Sequence, residues 1–249
     1  GVGVYMVMTK SPSAIIVPAD SKITHPKELE GLRVLHHDRD VGKETFEQLA
    51  AATGTDISKI TFIETTGAFP RLFDQMDAGK GEAVVGYIPT TTSALEARGV
   101  IVKDRIKYIP FSDYLPNMYG SALIASQNMV NNHPDEVKAF VKALNDAVVF
   151  TNDNPDMAFA LLLKRYPRWS FAMKAAERKR YYNTIINEMN APEAVAKYGV
   201  GGVDLERLQR SIDDAYTARN LPVKPELKKV FDDSFLPPLE DRVKELQAK

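Results

Sequence analysis

Missing residue types restrict the chemistry of this 249-residue chain before any motif is considered. It contains no cysteine, which excludes disulfides, thiol nucleophiles and zinc–thiolate sites together. A lack of thiols is typical of extracytoplasmic bacterial proteins, although many cytosolic proteins also have none. The net charge is -1, so the composition does not indicate a partner such as nucleic acid or an acidic membrane.

Long apolar runs are missing as well. Segments such as AIIV and AVVF are far too short to cross a bilayer, although a hydrophobic content of 44% is enough for a substantial core. The opening stretch, GVGVYMVMTKSPSAIIVPAD, lacks the basic region and the long apolar region of a signal peptide. It predicts a strand, a turn at 10–13 and a second strand. A chain that opens within a strand indicates a processed or truncated product.

Strand-like and helix-like segments alternate over roughly the first 120 residues, a pattern typical of an α/β sheet. A short helix is predicted over 24–31, with Thr24 as its cap. A longer helix is predicted over 42–54, with Phe46, Leu49 and Ala50 on one face. The predicted strands are AIIVPAD, LRVLH, KITFIET, EAVVGYI and IKYIPF.

The character of the chain changes near Ser121, where SALIAS is the last predicted strand and helices follow. A helix after Pro134 has an apolar stripe formed by Val137, Phe140, Val141, Leu144 and Val148. A later helix begins after Asp204 as its cap and is expected to bury Leu205, Leu208 and Ile212. Further helices are predicted within 154–167, with Asn154 as the cap, over 170–191 and, as an amphipathic segment, at the end of the chain.

Motifs for catalysis or metal binding are absent from the sequence. There is no G-x-S-x-G and no H-E-x-x-H. His36 and His37 are adjacent on a predicted strand, so their side chains point to opposite faces and do not share one ion. No carboxylate or histidine at helical spacing completes a ligand set. We therefore expect no catalytic residue, no metal and no cofactor.

The loop HHDRDVGKE connects a predicted strand to a predicted helix. Asp38 and Asp40 could form an acid pair of the glycosidase type, but a solvated loop that caps the following helix is the favoured interpretation. The start of that helix carries free backbone N–H groups and the positive end of the helix dipole. This loop is therefore a candidate for holding a polar or anionic group.

Two other loops have the composition of a ligand pocket. The segment GYIPTTT places Gly86 and Tyr87 at a strand end, and the segment 111–126 concentrates Tyr114, Asn117 and Tyr119. Open α/β sheets bind ligands beyond the carboxyl ends of their strands. Each aromatic taken singly is also compatible with ordinary packing, so the prediction of a pocket depends on the convergence of the three loops.

Four segments resemble the solute-binding proteins of ABC importers, in the NMT1/THI5-like branch that handles nitrate, sulfonates, taurine and thiamine-precursor pyrimidines. AIIVPADSKITHPKELEGLRV is similar to a crossing strand, a turn and the next strand of that family. FDQMDAGKGEAVVGYIP is similar to another family segment, with Glu82 where the family has Asp. The other two are YGSALIASQNMVNNHPDEVKAFVKALNDAVVFTNDNPDMA and LPVKPELKKVFDDSFLP.

The resemblance implies a two-lobed α/β fold of the type II periplasmic-binding-protein class, with a mixed sheet flanked by helices in each lobe. Residues 18–119 would form the second lobe. Residues 1–17 and 120–249 would form the remainder of the first lobe, whose N-terminal part is expected to be missing. The long helical half would otherwise have too little sheet to pack on.

The resemblance also implies which residues bind the solute. The turn before the helix at 42–54 would face the cleft between the lobes, and aromatic side chains would stack on a flat ring. The candidates are Asp40, Val41, Gly42, Lys43, Thr66, Phe69, Gly86, Tyr87, Tyr114, Asn117 and Tyr119. A pyrimidine or a similar flat heterocycle is the favoured solute, followed by a sulfonate or nitrate.

The resemblance finally implies a bacterial protein that captures its solute in the cleft and delivers it to a membrane permease. It would be periplasmic or otherwise extracytoplasmic, and would meet the membrane only through the permease or a lost lipid anchor. Two alternatives stay open. One is an enzyme similar to the thiamine-pyrimidine synthases, whose cysteine-rich motif this chain lacks. The other is the effector-sensing domain of a transcription regulator, which would need a helix-turn-helix.

Overall fold

The computed structural model describes residues 1–37, 42–66, 71–167, 178 and 190–246, with the backbone alone for 42–44. The chain divides into two compact units. Unit 1 comprises Gly1–Ser11, Asn117–Thr217 and Leu221–Lys249, and unit 2 comprises Pro12–Pro116 and Ala218–Asn220. The sequence placed these boundaries a few residues later, after residues 17 and 119. The difference at the first boundary is the strand after Pro12, which pairs inside unit 2.

The described residues contain the following β-strands: β1 (Val2–Met6), β2 (Ser13–Pro18), β3 (Arg33–His37), β4 (Thr61–Thr65), β5 (Ala83–Tyr87), β6 (Ile106–Pro110) and β7 (Ala122–Ala125). Every one of them lies within or beside a segment that the sequence predicts as a strand. In this chain, apolar runs bounded by Gly, Pro and Asp therefore predict the strands.

The described α-helices are α1 (Gly42–Thr53), α2 (Arg71–Asp77), α3 (Ile88–Glu96), α4 (Val102–Arg105), α5 (Gln127–Asn132), α6 (Pro134–Asp153), α7 (Pro155–Arg165), α8 (Pro192–Tyr198), α9 (Leu205–Ala218) and α10 (Leu227–Val230). Short 3-10 turns occupy Pro26–Leu29, Ile57–Lys59, Phe111–Asp113, Asp233–Phe235 and Leu239–Asp241. None of the helices in the described ranges is both long and apolar enough to cross a bilayer.

Unit 2 is built on a five-stranded mixed sheet with the order β4-β3-β5-β2-β6. Strand β3 is parallel to β4 and β5, whereas β2 runs antiparallel to both β5 and β6. Residues 13–17 of β2 are buried, because this strand lies between two others and both of its faces are covered. Such double coverage explains the uninterrupted apolar run AIIV.

The two faces of the unit 2 sheet bury different side chains. On one face the sheet packs on α2 and α3 in a cluster formed by Ile16, Leu35, Leu72, Phe73, Met76, Val84, Leu95 and Ile106. On the other, Phe46 of α1 meets the rings of Phe62 and Phe111 edge to face, at centroid distances of 5.4 and 6.2 Å. Phe62 and Ile63 separate onto opposite faces because successive strand residues alternate.

Unit 1 is centred on the antiparallel pair of β1 and β7, with Val2 opposite Ala125 and Met6 opposite Ala122. All five residues of β1 are buried. The core around this pair is formed by Val4, Tyr5, Val137, Val141, Val195, Val200, Phe235 and Leu236. Helix α9 adds Leu208 and Ile212 to a neighbouring cluster with Met6 and Phe231.

Several sequence expectations for helix faces and ends are wrong in detail. Phe140 lies on the predicted stripe of α6 but is 61% exposed, and Leu205 is 41% exposed at the first turn of α9. His25, not Thr24, caps the turn at Pro26–Leu29, because its ring nitrogen accepts the Lys27 N–H. The described part of the tail ends in the 3-10 turn at Leu239–Asp241 instead of an amphipathic helix. The helix predicted over 170–191 lies largely outside the described residues.

Candidate functional site

The carboxyl edge of the unit 2 sheet is where several strands end and the helices that follow them begin. Strands β3, β4 and β5 are parallel and end there at His37, Thr65 and Tyr87. Strand β6 runs in the same direction, and β2 begins at this edge with Ser13 opposite Tyr87. Ligands of open α/β sheets bind beyond such an edge, where loops can approach without disturbing the ladders.

Helix α1 begins at this edge with Gly42, five residues after β3 ends. Phe46 and Leu49 are fully buried and fix the first two turns of the helix against the sheet. The first turn of a helix has backbone N–H groups without intrahelical partners, and the helix dipole adds a partial positive charge there. Asp40 and Val41 and the side chain of Lys43 lie outside the described part of the structure.

Strand β4 contributes Thr65 and Thr66 to the same edge. Thr65 is buried, and its hydroxyl donates to the Oε1 of Gln75 on α2 at 3.1 Å. Thr66 follows the strand and is exposed. Phe69 lies outside the described residues.

Strand β5 places Gly86 and Tyr87 side by side at the centre of this edge. Gly86 is buried opposite Ala14, and Tyr87 is half-buried and precedes the first residue of α3. The Ile88 N–H donates to the carbonyl oxygen of Pro12 at 2.9 Å, which holds the start of α3 against β2. The N-cap of α3 has no side-chain capping bond.

The hydroxyl-rich first turns of α3 were not singled out by the sequence prediction. Thr91 is fully buried, and in the described structure its Oγ1 has no hydrogen-bond partner. Thr92 bonds to the hydroxyl of Tyr108 at 2.9 Å, and burial raises the pKa of Tyr108 to about 12. The run TTT directly after a strand and a proline was the signal that could have identified these residues.

Tyr114 contacts the loop before β3. Its ring meets the ring of His25 edge to face at 5.2 Å. Its hydroxyl lies 3.5 Å from the carbonyl oxygen of Thr24. The described contacts of Tyr114 are therefore packing contacts within unit 2.

Asn117 and Tyr119 belong to unit 1 and contact α9 and the residue before it. The Asn117 amide donates to Asp214, and its oxygen accepts from Arg210 at 3.3 Å. The Tyr119 hydroxyl accepts the backbone N–H of Asp204 at 3.0 Å. Burial raises the pKa of Tyr119 above its usual value.

Asp204 connects the start of α9 to two tyrosines. Its carboxylate accepts the Arg207 backbone N–H at 3.0 Å and the Tyr198 hydroxyl at 2.7 Å. The guanidinium of Arg207 lies 4.1 Å from the ring centroid of Tyr119. The sequence identified Asp204 as a cap but missed Tyr198 and Arg207, because neither belongs to a local motif.

Replacing Asp204 with alanine is expected to lower the free energy of unfolding by about 2 kcal/mol at pH 7, through loss of the helix cap and of one half-buried hydrogen bond. The Arg207 N–H and the Tyr198 hydroxyl lower the pKa of Asp204 in the folded protein. The stabilisation is therefore present above the unfolded pKa of about 4 and is lost as the pH falls through the folded value.

Urea unfolding of the wild type and of Asp204→Ala between pH 7 and pH 2 measures this effect. The difference between the two proteins should shrink below about pH 4. Asp146→Ala, which breaks an exposed pair with Lys142, is the matched control and should change stability by no more than about 0.5 kcal/mol. A difference that stays constant down to pH 2 would contradict the role of the carboxylate.

Comparisons with known proteins assign this chain to a family. The family model described as NMT1/THI5 like matches residues 2–158, more than half of the chain. The riboflavin-binding protein RibY of Chloroflexus aurantiacus is 23% identical over 240 residues, which cover 95% of this chain and 66% of that protein. The chain thus spans slightly less than two thirds of the length of this curated relative.

Solved structures share the fold. The periplasmic aliphatic sulphonate binding protein SsuA from Escherichia coli has a TM-score of 0.64 at 19% identity, covering 98% of this chain and 75% of that one. The alkanesulfonate-binding protein SsuA from Xanthomonas axonopodis pv. citri, bound to MOPS, has a TM-score of 0.59 at 16% identity, covering 92% and 73%. The predicted α/β periplasmic-binding-protein fold is confirmed, and the chain belongs to the NMT1/THI5-like family.

Proposed function

We propose that this protein captures a small organic solute outside the cytoplasm and delivers it to the permease of an ABC importer. The observation that carries the proposal is the family match over residues 2–158, which includes the continuous part of unit 2, Pro12–Pro116. Solved proteins of the same fold carry the names of periplasmic binding proteins. In this proposal the protein binds and releases its solute unchanged, and its only membrane contact is with the permease or through a lipid anchor.

The binding surface in this proposal is the carboxyl edge of the unit 2 sheet. Gly42 contributes the first turn of α1, whose N–H groups suit carbonyl or anionic oxygens. Thr66 contributes an exposed hydroxyl, and Tyr87 a half-buried aromatic ring. The other proposed residues of unit 2 are Asp40, Val41, Lys43, Phe69 and Gly86. Tyr114, Asn117 and Tyr119 are kept as weaker candidates, since their described bonds and ring contacts are made within the protein.

A flat heterocycle is the favoured solute class. The strands at this edge end in His37, Thr65 and Tyr87, and the exposed Thr66 follows β4, so none of these residues brings a fixed positive charge. An aromatic ring beside hydrogen-bond donors suits a planar solute with carbonyl and ring nitrogen atoms. The relative named for riboflavin binding, aligned over 95% of this chain, supports the same class.

A sulfonate is the second candidate. Its three oxygens would suit the first turn of α1 together with Lys43, because a helix start and an ammonium group both favour an anion. The two SsuA structures of the same fold carry the names of sulphonate-binding proteins.

A thermal-shift screen of the full-length polypeptide tests the proposal. The panel contains riboflavin, an aminopyrimidine, taurine, a longer alkanesulfonate and nitrate. A solute present at 100 times its dissociation constant should add about 2.7 kcal/mol to the free energy of unfolding. No shift with any solute, together with a covalent pyridoxal phosphate mass on a lysine, would instead support the enzyme alternative.

Substitution of Tyr87 tests the aromatic contact. Tyr87→Ala is expected to weaken binding of the solute found in the screen by about 10-fold to 100-fold, because stacking on one ring contributes about 1–3 kcal/mol. Tyr87→Phe keeps the ring and should stay within about threefold of the wild type, the equivalent of losing one weak hydrogen bond. Isothermal titration calorimetry measures the affinity of both variants for the solute.

The control for this experiment is Tyr166→Ala, which removes a tyrosine that is 51% exposed in unit 1. Its affinity should equal that of the wild type. Melting curves of each variant without solute show whether the fold is retained. Equal affinities for Tyr87→Ala and the wild type would exclude Tyr87 from the binding surface without affecting the family assignment.

A further inference from the structure

A buried histidine stands near the carboxyl edge of the unit 2 sheet. His36 is the second-last residue of β3 and is 7% exposed. Leu35 belongs to the apolar cluster with α2 and α3, so His36 lies on the opposite face of the sheet, where α1 packs. Its ring meets the ring of Phe62 at a centroid distance of 6.0 Å, and Phe62 in turn meets Phe46 of α1. The imidazole therefore belongs to the layer between the sheet and α1.

The start of α1 lies at the same end of this layer. Because β3 and β4 are parallel and α1 connects them, the helix begins at the carboxyl edge and runs back across the sheet. Residues 42–45 precede Phe46 in the helix, so they lie nearer to that edge than Phe46 does. His36 is likewise nearer to the edge than Val34, which is the strand partner of Phe62. The imidazole and the first turn of α1 thus occupy one corner of unit 2.

One ring nitrogen of His36 is engaged and the other is not. Nδ1 lies 3.2 Å from the carbonyl oxygen of His37, and because a carbonyl oxygen only accepts, Nδ1 carries the hydrogen of the neutral ring. Nε2 is then an acceptor. Among the described residues Nε2 has no hydrogen-bond partner. An acceptor that is buried without a partner is costly, so we expect a bound molecule to supply the missing donor.

This acceptor and the donors of the helix start are complementary to one kind of chemical group. The N–H groups in the first turn of α1 lack intrahelical partners and donate to oxygen, whereas Nε2 of His36 requires a donor. A carbonyl with a neighbouring N–H, as in a lactam or an imide, offers both an oxygen and a donor. A sulfonate or nitrate offers oxygens alone and would place one of them against the lone pair of Nε2.

We propose that His36 determines which solute is bound, through an N–H of the solute that donates to Nε2. This inference rests on the proposed function and narrows it. The solute is a planar heterocycle in which that N–H stands next to a carbonyl group, and the carbonyl oxygen accepts from the first turn of α1. The preference for a heterocycle over a sulfonate then follows from the neutral imidazole of one residue.

Methylation of the solute nitrogen tests this hydrogen bond. Riboflavin carries an N–H between two carbonyl groups, and 3-methylriboflavin has a methyl group in place of that hydrogen. Thymine and 3-methylthymine form a second, smaller pair. In calorimetric titrations at pH 8, where histidine side chains are neutral, we expect the wild type to bind the methylated member of a pair about 10-fold to 100-fold more weakly, because Nε2 of His36 then stays unpaired.

Three substitutions of His36 locate the acceptor. His36→Phe keeps an aromatic ring but removes both nitrogens, so the two members of a pair should bind within about threefold of each other. His36→Gln can place its amide oxygen near the position of Nε2 and should keep most of the preference, whereas the shorter His36→Asn should lose it. The control is His133→Phe in unit 1, where the histidine side chain is 46% exposed. Melting curves without solute show which variants are folded, and the two amide variants suffice if His36→Phe is not.

Three outcomes would overturn the role of His36 and leave solute capture intact. The wild type could bind both members of each pair equally well. The folded His36→Asn variant could keep the full preference of the wild type for the N–H solute. Taurine or nitrate could bind while riboflavin and thymine do not. If no solute of the whole panel bound the wild type, the proposed function itself would fail, and this inference with it.

Discussion

Replacing Gly201 with alanine is expected to lower the free energy of unfolding of unit 1 by about 2–5 kcal/mol, the sum of backbone strain and overpacking. Gly201 has a φ of +83°, which side chains other than that of glycine rarely adopt. An added Cβ would lie 2.3 Å from the Cε2 of Tyr5, whose ring is only 1% exposed. The ring lies in the unit 1 core, and the Met6 N–H donates to the carbonyl oxygen of Gly201, so a shift of either residue would disturb existing contacts.

The matched control is Gly31→Ala in unit 2. Gly31 has a φ of +85°, and nothing lies within 4 Å of an added Cβ. Its substitution should cost only the backbone term of about 1–2 kcal/mol. Denaturant unfolding followed by circular dichroism measures both variants. Equal destabilisation would show that the Tyr5 ring yields to the new methyl group.

Replacing Phe46 with alanine should destabilise unit 2 by about 3–5 kcal/mol, the usual range when a buried phenylalanine becomes a cavity. Phe46 is fully buried and touches the rings of Phe62 and Phe111. It also fixes the first turn of α1 at the carboxyl edge of the sheet. The same substitution is therefore expected to weaken solute binding, because the helix start would no longer be held in place.

The conservative variant Phe46→Leu separates the two effects. It fills most of the volume and should cost about 1 kcal/mol, as volume-conserving core changes do. Urea unfolding gives the stability of both variants, and calorimetry gives their affinity for the solute. If Phe46→Ala bound the solute as tightly as the wild type, α1 would not belong to the binding surface.

Much of unit 2 could be predicted from the sequence, because its local patterns and its tertiary packing agree. The segment LRVLH is apolar and bounded by turn residues, and it forms β3. Phe46, Leu49 and Ala50 occupy one face of α1 and are all buried. Gly54 follows directly after the last residue of that helix. In each case one signal specifies both the element and the face that it buries.

The parts of the fold and of the candidate site that could not be predicted depend on contacts between residues far apart in sequence. The ring of Tyr114 meets that of His25, about 90 residues away, a contact that no local pattern indicates. Asn117 and Tyr119 bind α9 and Asp204, which local periodicity does not relate to them. Phe140 follows the helical period but is exposed, because periodicity identifies an apolar face without saying what packs against it.

The pairing of β1 with β7 has a consequence for the order of events during synthesis. Val2–Met6 is synthesised before its partner Ala122–Ala125, which follows after about 115 further residues, on the order of ten seconds later. Unit 2 lies almost wholly between them and can assemble first, since only Ala218–Asn220 come later. The five residues of β1 therefore have no β7 partner while unit 2 folds. Binding of this short strand by a chaperone during that interval would protect unit 1 from mispairing.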